Sequence, residues 1–412
     1  MVKNKKIIIV YSLFGTGHLR VANIIEDMLR HVAPNYTVKK VTTSELTTSS
    51  SIQKLESFWN FSLKHHFIRA ADFLVNKMTR YLTLPLIEFE SNKKMYSFME
   101  KENPDIIIST VSSFNKGLGY YAEKNRKKFI VFIADLFPSY FDYLHPTALH
   151  FGYLEESKEI GQSHDSSLTY FTHQISSTIS AKQKLNFLRG YYNDFFLKRK
   201  PVYITSLGKE KKNNFKIVPI GIFAERKHYQ KSEKKLETGL DPSRPTVLVA
   251  SGGQGGRFVY KIIKKICQEK LNIIAVCGHS QKYYRKVTTL KSLANVKAYT
   301  FTKDLNLLME MSDVAIIRPS ASIFLELILH QVPIILSSPV LSNDLGCVEI
   351  LKKYGLGKLA RSYSETKNIV MEILSNSNEY QANFNHLLSQ YADSYEKLQT
   401  NICKFILEDN FI

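Results

Sequence analysis

The sequence predicts an α/β protein in which two Rossmann-like, doubly wound domains face each other across a cleft. Short, continuous runs of β-branched and other apolar residues suit parallel strands that are covered on both faces. Helical stretches separate these runs, as they do in βαβ units. Each half of the chain also opens with a strand, a Gly-rich turn and a helix. A cleft between two such domains is the natural place for a ligand.

Seven runs carry the strand signal: KKIIIVYS (5–12), DIIISTV (105–111), FIVFIAD (129–135), TVLVASGG (246–253), LNIIAVCG (271–278), DVAIIRP (313–319) and VPIILSS (332–338). Between 223 and 245 this pattern gives way to charged, turn-rich sequence with two prolines. We place the domain boundary there, with one domain over 1–222 and a second over 223–412. The tail over 365–410 is helical in composition, and we expect C-terminal helices to pack back on the first domain.

Composition bounds the class of protein. The 412 residues are 44% hydrophobic and 23% charged, which is typical of a globular chain. Lysine and arginine total 56 against 37 acidic residues, and the net charge of +19 favours nucleic acid, an anionic membrane or phosphorylated substrates as partners. The four cysteines form no C-x-x-C pair, so we expect neither a disulfide framework nor a zinc ribbon. No apolar run is long enough for a signal peptide or a membrane span.

The first Gly-rich turn is Gly15-Thr16-Gly17-His18, directly after the first strand. Its glycines let the backbone approach a ligand, and the helix that follows offers the positive end of its dipole. His18 would stand at the mouth of the cleft, where a neutral imidazole can take a proton from a hydroxyl. A plain strand-to-helix turn with a capping histidine is the alternative.

The second Gly-rich turn covers residues 251–256 and follows the strand TVLVA. Its backbone N–H groups could cradle a diphosphate. It lacks the Lys-Ser/Thr pair of a P-loop and the strict G-x-G-x-x-G spacing of dinucleotide sites, so neither an ATPase nor an NAD enzyme is favoured. A flexible turn without a ligand is the alternative.

Two acidic residues stand near strand ends. Glu326 falls in the helix after Arg318, where Ser320 and Ser322 can cap the helix. A carboxylate in that helix can accept both hydroxyls of a ribose, although it could also simply face solvent. Asp135 ends the third strand of the first domain, where open parallel sheets bind ligands. A loop-capping aspartate is its alternative reading.

Taken in order, these segments resemble glycosyltransferase family 28 and its relatives of the two-domain GT-B fold. The chain is most similar to the monogalactosyl- and glucosyl-diacylglycerol synthases, and more distantly to the peptidoglycan N-acetylglucosaminyltransferase. The segments that carry the resemblance are SLFGTGHLRVANII, NPDIIISTVSS, IADLFPSY, VASGGQGG, AVCGHS, VKAYTFTKDLNLLMEMSDVAII and RPSASIFLELILHQVPIILSSPVLSNDLG. Two positions depart from the family pattern. Ser320, Ser322 and Ile323 replace a Gly-Gly/Thr turn, and Ser342, Asn343 and Asp344 replace Gly-Gln-Glu.

The resemblance implies inverting, metal-independent transfer of a hexose from a UDP-sugar to a lipid hydroxyl such as that of diacylglycerol, with no resident cofactor. The first domain would hold the acceptor, with His18 as the base and Asp135 beside it, and the second would hold the donor. In that domain the Gly-rich loop takes the diphosphate, Phe301 and Thr302 flank the base, and Glu326 takes the ribose. The implied binding residues are Gly15, Gly17, Gly252, Gly253, Gly255, Gly278, Phe301, Thr302, Arg318, Ser320, Ser322, Glu326, Asn343 and Asp344.

The basic, aromatic stretch over 52–82 could rest on an anionic bilayer, with Trp59, Phe61 and Phe67 in the interface. A core-facing pair of amphipathic helices is the alternative. The resemblance implies a cytoplasmic protein that is peripherally associated with the inner face of the membrane.

Three other functions stay open at this stage. A non-catalytic relative would bind nucleotide-sugar or lipid without transfer, and a related glycosyltransferase would use a polyprenyl or small-molecule acceptor. A nucleic-acid-binding protein is suggested only by the charge. No helix-turn-helix, RNP or zinc-finger signature supports it, so we expect no nucleic-acid partner.

Overall fold

A computed structural model describes residues 5–14, 17–47, 50–65, 67, 71, 94–111, 114–136, 145, 147–156, 217–222, 229–252, 255–337, 340–341, 344–390 and 395–408. Over these ranges the chain forms two six-stranded sheets, and each pairing between strands is parallel. The predicted α/β architecture is confirmed.

The first sheet has the order β2-β1-β3-β4-β5-β6. Its strands are β1 (Lys6–Tyr11), β2 (Thr37–Thr42), β3 (Ile106–Ser109), β4 (Lys128–Phe132), β5 (Leu149–Gly152) and β6 (Ile217–Pro219). The helices are α1 (Gly17–Val32), α2 (Ser50–His65) and α3 (Asn115–Lys124), and residues 94–102 are also helical. Strand order reverses between β1 and β3, so the loops after these two strands diverge and leave a crevice at their carboxyl ends.

The second sheet has the order β12-β11-β10-β7-β8-β9. Its strands are β7 (Thr246–Ala250), β8 (Asn272–Val276), β9 (Asn295–Tyr299), β10 (Val314–Ile317), β11 (Ile334–Ser337) and β12 (Gly357–Ala360). The helices are α4 (Lys231–Glu237), α5 (Gly256–Ile266), α6 (Gln281–Thr288), α7 (Leu305–Glu310), α8 (Ala321–Leu329), α9 (Leu345–Tyr354), α10 (Thr366–Ser375), α11 (Ser377–Ser389) and α12 (Tyr395–Leu407). Here the order reverses between β7 and β10. The Gly-rich loop after β7 therefore lies beside the turn into α8.

Burial follows the patterns that predict the strands and helices. Ile7, Ile8, Ile9 and Val10 of β1 are wholly buried, because the strand lies inside its sheet with helices over both faces. On α5, the buried side chains recur with helical spacing and face the second sheet: Phe258, Val259, Ile262, Ile263 and Ile266. Each sheet thus has an apolar core that fixes the position of the loops at its carboxyl edge.

The last helix returns to the first domain. Lys128 Nζ, on β4, donates to the carbonyl oxygen of Phe405 and, at 2.7 Å, to that of Glu408. The Phe405 ring also contacts the Phe151 ring of β5, with centroids 6.0 Å apart. The predicted return of the C-terminal helices is therefore confirmed for α12. By contrast, α11 stays with the second domain, where Asn383 Nδ2 donates to Gly355 O at 3.0 Å.

In the described part of the chain, no helix combines the length and the apolar character that a bilayer span requires. All four cysteines are buried free thiols.

Candidate active site

His18 lies on the first-domain side of the cleft, as the second residue of α1. Its Nδ1 is 2.6 Å from the carbonyl oxygen of Thr110, which follows β3 across the switch point. Because a carbonyl oxygen only accepts, Nδ1 carries a proton, and in the neutral form of the ring the lone pair therefore lies on Nε2. Thr110 Oγ1 in turn donates to His18 O at 3.2 Å. The ring is thus held in the tautomer that a general base needs.

Glu56 of α2 is a buried carboxylate near His18 that the sequence analysis missed. Its Oε1 accepts from the Leu13 N–H at 3.3 Å and from Thr43 Oγ1 at 3.1 Å. Burial raises the pKa of Glu56, and these two hydrogen bonds oppose that effect, as does the positive charge of His18 whenever its ring is protonated. Asn60, one turn further along α2, donates to Leu13 O at 2.9 Å. Two side chains of α2 therefore fix the backbone that leads into the first Gly-rich turn. No motif in the sequence marks either of them.

Asp135 lies just beyond β4 and is half-buried. Burial raises the pKa of the Tyr153 hydroxyl, the charge of Asp135 adds to that shift, and the charge of Arg20 opposes it. The same carboxylate acts on Cys347 of α9, whose pKa is raised first by burial, then by Asp344 and Asp135. Asp135 therefore lies near residues of both domains, as a group in the cleft must.

Glu326 lies on α8, on the second-domain side, and its side chain is only 4% exposed. The alternative of a solvent-facing glutamate is therefore wrong. Its Oε1 forms an ion pair with Arg20 Nη2, which comes from α1 of the other domain. Its Oε2 is buried and has no hydrogen-bond partner among the residues that the structure describes. A buried carboxylate oxygen without a donor is unfavourable, so it is a natural acceptor for a ligand hydroxyl.

The glycines of the loops have steric reasons to be glycine. A Cβ on Gly255 would lie 2.1 Å from Ser251 Oγ and 2.5 Å from Ser251 O. Gly252 and Gly278 have φ values of +65° and +60°, which favour glycine. No atom of the described residues lies within 4 Å of a Cβ position on Gly252, so they leave space for a ligand there. Three candidates lie outside the described residues: Gly15, Gly253 and Asn343.

The starts of α1 and α8 meet across the cleft. A Cβ on Gly17, the first residue of α1, would be 3.9 Å from Ser322 Oγ of α8. Ser320 occupies the N-cap position of α8, but its hydroxyl makes no capping hydrogen bond, so its predicted role as a cap is wrong. Arg318 is half-buried directly after β10. Two helix N-termini with their free N–H groups thus point into one region, which suits an anion.

Asp344 precedes α9 and is 8% exposed. Its Oδ2 accepts from the Leu341 N–H at 3.3 Å, so this carboxylate also shapes the loop in which it lies.

Phe301 is 55% exposed at the carboxyl edge of the second sheet. Its ring stacks on His279 with centroids 4.5 Å apart and planes 11° from parallel. Thr302 Oγ1 accepts from the Asp304 N–H at 3.0 Å and helps to start α7. The stacked pair is a flat aromatic surface of the kind that a nucleobase can cover.

The aromatic residues of α2 divide between two faces. Trp59 is 8% exposed and packs with Ala71, Leu341 and Phe14, so its predicted place in a membrane interface is wrong. It instead fills the junction between α2 and the second domain. Phe58 and Phe61 are exposed at 39% and 53%, and Phe67, which lies beyond the end of α2, is exposed at 63%. Among the residues that the structure describes, no cluster of three His, Cys, Asp or Glu side chains could hold a metal ion.

Comparison with known proteins adds three findings. Residues 246–338 match the glycosyltransferase family 28 C-terminal domain. MurG of Acinetobacter baumannii has a TM-score of 0.55 at 12% identity, with coverage of 98% of this chain and 99% of that one. The glycosyltransferase VinC, in complex with DTDP, has a TM-score of 0.55 at 10% identity, with coverage of 97% and 98%. The chain therefore has the fold of the GT-B glycosyltransferases, and most of its second sheet lies in the segment that matches the family 28 C-terminal domain.

A curated relative matches in sequence. The processive diacylglycerol beta-glucosyltransferase of Staphylococcus aureus (strain Newman) is 27% identical over 177 residues, which are 42% of this chain and 44% of that protein. The match thus spans less than half the length of the relative. The predicted resemblance to family 28 and to diacylglycerol glycosyltransferases is confirmed at this level.

Proposed function

We propose that the protein is an inverting, metal-independent glycosyltransferase that moves a hexose from a UDP-sugar to a lipid hydroxyl such as that of diacylglycerol. The observation that carries the proposal is Glu326, a buried carboxylate with one unpartnered oxygen. It lies within the segment that matches the family 28 C-terminal domain. A ribose supplies the hydroxyl donors that this oxygen lacks.

The donor would lie along the carboxyl edge of the second sheet. The base covers the stacked rings of His279 and Phe301, and the ribose meets Glu326 on α8. The diphosphate then falls between the open loop at Gly252 and the N-terminus of α8, where backbone N–H groups face an anion. Asn343 and Asp344 remain our candidates for the sugar hydroxyls.

The chemistry requires one base and one stabilised leaving group. The acceptor hydroxyl gives its proton to Nε2 of His18 while its oxygen bonds to the anomeric carbon of the sugar. The bond from that carbon to the diphosphate breaks on the opposite face, and UDP leaves, so the configuration inverts. Helix N-termini stabilise the charge that develops on the diphosphate. The hydrogen bond from Nδ1 to Thr110 O holds the ring for this transfer. Asp135, near Arg20 and Tyr153, would contribute negative charge at the acceptor side.

The acceptor class rests on the relative that acts on diacylglycerol and on the outer face of α2. Lys54, Phe58 and Phe61 recur at helical spacing there and all are exposed. An exposed apolar face with lysine at its edge, on a chain of net charge +19, suits the interface of an anionic bilayer. We place the protein peripherally on the inner face of the membrane, with Phe67 at the same surface.

The test is transfer itself. Purified protein is incubated with UDP-glucose or UDP-galactose and vesicles of diacylglycerol in anionic phospholipid, and glycolipid is quantified by mass spectrometry. The β-anomer, made from an α-linked donor, is the expected product. No glycolipid with any donor of a UDP-, GDP- and dTDP-sugar panel would refute the transferase.

A second function is favoured by the Ser342-Asn343-Asp344 replacement. Asn343 stands where the family has Gln and Asp344 where it has Glu, so each of these two side chains reaches one methylene less toward a sugar. That function is nucleotide-sugar binding without transfer. Calorimetric binding of a UDP-sugar together with no product in the vesicle assay is the result that would favour it.

A further inference from the structure

Arg20 has no role in the mechanism above, yet it is the residue that touches the proposed ribose acceptor. It projects from α1 of the first domain and forms an ion pair with Glu326 on α8 of the second. Its own side chain is 43% exposed, whereas that of Glu326 is 4% exposed. The guanidinium therefore lies on the solvent side of the pair and covers the carboxylate.

The covered carboxylate is only half satisfied. Arg20 engages Oε1, while Oε2 is buried and finds no hydrogen-bond partner in the described part of the chain. In this arrangement a ribose cannot reach the carboxylate, because Oε1 is occupied and Oε2 is buried. A buried carboxylate oxygen without a hydrogen-bond donor is unfavourable. A ligand whose hydroxyls donate to this oxygen would therefore be favoured over the ion pair with Arg20.

We propose that Arg20 is a donor-site residue supplied by the first domain, and that it acts as a latch. In the nucleotide-free protein it holds Glu326 covered, and the ribose of a nucleoside diphosphate displaces it. This inference rests on the proposed function, because it takes Glu326 as the ribose acceptor. The domains are therefore joined at the donor site by a contact that donor binding must exchange.

The latch makes a prediction opposite to that of an ordinary binding residue. Removing a residue that contacts the nucleotide weakens binding, but removing a latch tightens it, because the apparent affinity is the intrinsic affinity reduced by the fraction of open molecules. If about 70–90% of the molecules are latched, Arg20→Gln should tighten the dissociation constant for UDP by about three- to tenfold. Arg20→Lys keeps the charge without the fork of donors and should fall between the two.

The experiment is titration calorimetry of UDP with the full chain at fixed ionic strength. A first control is Arg30→Gln, which breaks an exposed ion pair with Glu26 on the same helix. A second control is Lys353→Gln, which breaks another contact between the domains, the 2.8 Å pair with Glu156. Both controls should bind UDP as the wild type does. Arg20→Gln in a Glu326→Gln background should also have no effect on affinity, because the latch no longer exists there.

Each outcome decides between definite alternatives. Tighter binding in Arg20→Gln alone supports the latch. Weaker or unchanged binding overturns it, while the loss of affinity in Glu326→Gln would leave the proposed function standing. Equal tightening by Lys353→Gln would assign the effect to general opening of the domains and also overturn the role of Arg20. If neither the wild type nor Arg20→Gln binds UDP, the donor site and the latch fall together.

Discussion

The first and second domains each place one chemically competent side chain at the switch point of a parallel sheet, but they hold these side chains differently. In the first domain, His18 is fixed by its hydrogen bond to Thr110 O. In the second domain, Glu326 has one oxygen in an ion pair and the other without a partner. The imidazole that we propose as the base is thus held by the protein itself, whereas the carboxylate that we propose as the ribose acceptor keeps one oxygen for a ligand. This difference is what we expect between a group that acts in the reaction and a group that acts in binding.

The largest expected effect comes from removing His18, the proposed base. His18→Ala should lower kcat by about 10²–10⁴-fold, which is the usual contribution of general-base assistance. The affinity for UDP should stay within about twofold, because His18 acts on the acceptor and not on the nucleotide. Single-turnover rates and UDP calorimetry measure the two quantities. The matched control is His31→Ala, since His31 lies on the same helix but is exposed and bonds only to Asp27 O in its own turn.

His18→Asn distinguishes the base from a capping residue. The amide keeps a hydrogen-bond donor for Thr110 O but has no usable base, so its turnover should be nearly as slow as that of the alanine variant. A capping histidine would instead give near-normal turnover in His18→Asn and a lower melting temperature in His18→Ala. That pattern would contradict the assignment of the first-domain group to chemistry.

The next largest effect tests Glu326 as the proposed acceptor of the ribose hydroxyls. Glu326→Gln should weaken UDP binding by roughly 1.5–3 kcal/mol, because a hydrogen bond to a charged acceptor contributes about that much. The kcat at saturating donor should change less than the affinity, the reverse of the His18 result. Glu349→Gln is the control, since Glu349 is an exposed carboxylate on α9. Unchanged affinity in calorimetry would remove Glu326 from the donor site.

A third test concerns the two faces of α2. Phe58→Ser with Phe61→Ser should reduce binding to anionic vesicles by about tenfold or more, since full burial of one Phe side chain contributes roughly 1.5–3 kcal/mol. Flotation should require anionic lipid and weaken in 1 M salt, where the Debye length is about 3 Å. Trp59→Phe on the inner face is the control and should bind vesicles as the wild type does. Equal flotation of the double variant would move the membrane surface elsewhere.

The sequence predicts the second domain better than the first. Its runs TVLVA, NIIAV, VAII and IILS are continuous and apolar because β7, β8, β10 and β11 are interior strands or next to them. Edge strands such as β2 (TVKKVT) and β9 (NVKAY) carry lysines on exposed faces and give no such signal. The sequence analysis also missed β5 (LHFG) and β6 (IVP), because neither contains four consecutive apolar residues as VAII of β10 does.

The sequence likewise predicts site residues that follow a strand better than those that depend on contacts between distant segments. Positions directly after a predicted strand, such as His18 and Gly252, are found at the cleft because topology alone places them there. The ion pair of Arg20 with Glu326 joins residues 306 positions apart in different domains, and no local pattern encodes it. The buried Glu56 was missed for the same reason: its partners, Leu13 and Thr43, come from other segments. The burial of Trp59 depends on Leu341 of the other domain, which helical periodicity in α2 could not indicate.

The smallest expected effect extends the comparison to two acids that lie outside the proposed chemistry, the half-buried Asp313 and the buried Glu56. In the second domain, Asp313 Oδ2 accepts from the Thr246 N–H at 2.7 Å and pairs with Lys235, and Oδ1 pairs with Lys231 at 2.7 Å. Burial alone would raise the pKa of Asp313, but the two ammonium groups and the backbone donor outweigh it and lower the pKa. In the first domain, burial outweighs the hydrogen bonds and raises the pKa of Glu56.

Opposite shifts give opposite pH dependences. The stabilisation by Asp313 is fully present above its ordinary unfolded pKa of about 3.9 and is lost as the pH falls through its lower folded pKa. The folded state with Glu56 instead loses stability as the pH rises above about 4.3, because ionising the buried carboxyl becomes a cost. Asp313→Asn should therefore lower the free energy of unfolding at pH 7 by roughly 1.5–3 kcal/mol and flatten the melting-temperature profile on the acid side.

Glu56→Gln keeps an acceptor for Leu13 and Thr43. It should therefore hold or raise the melting temperature at pH 7 and flatten the melting-temperature profile above pH 4.3. Melting temperatures of both variants and the wild type between pH 3 and pH 8 test this pair. If both substitutions change the profile in the same pH range, the two domains do not differ in how they hold their buried acids.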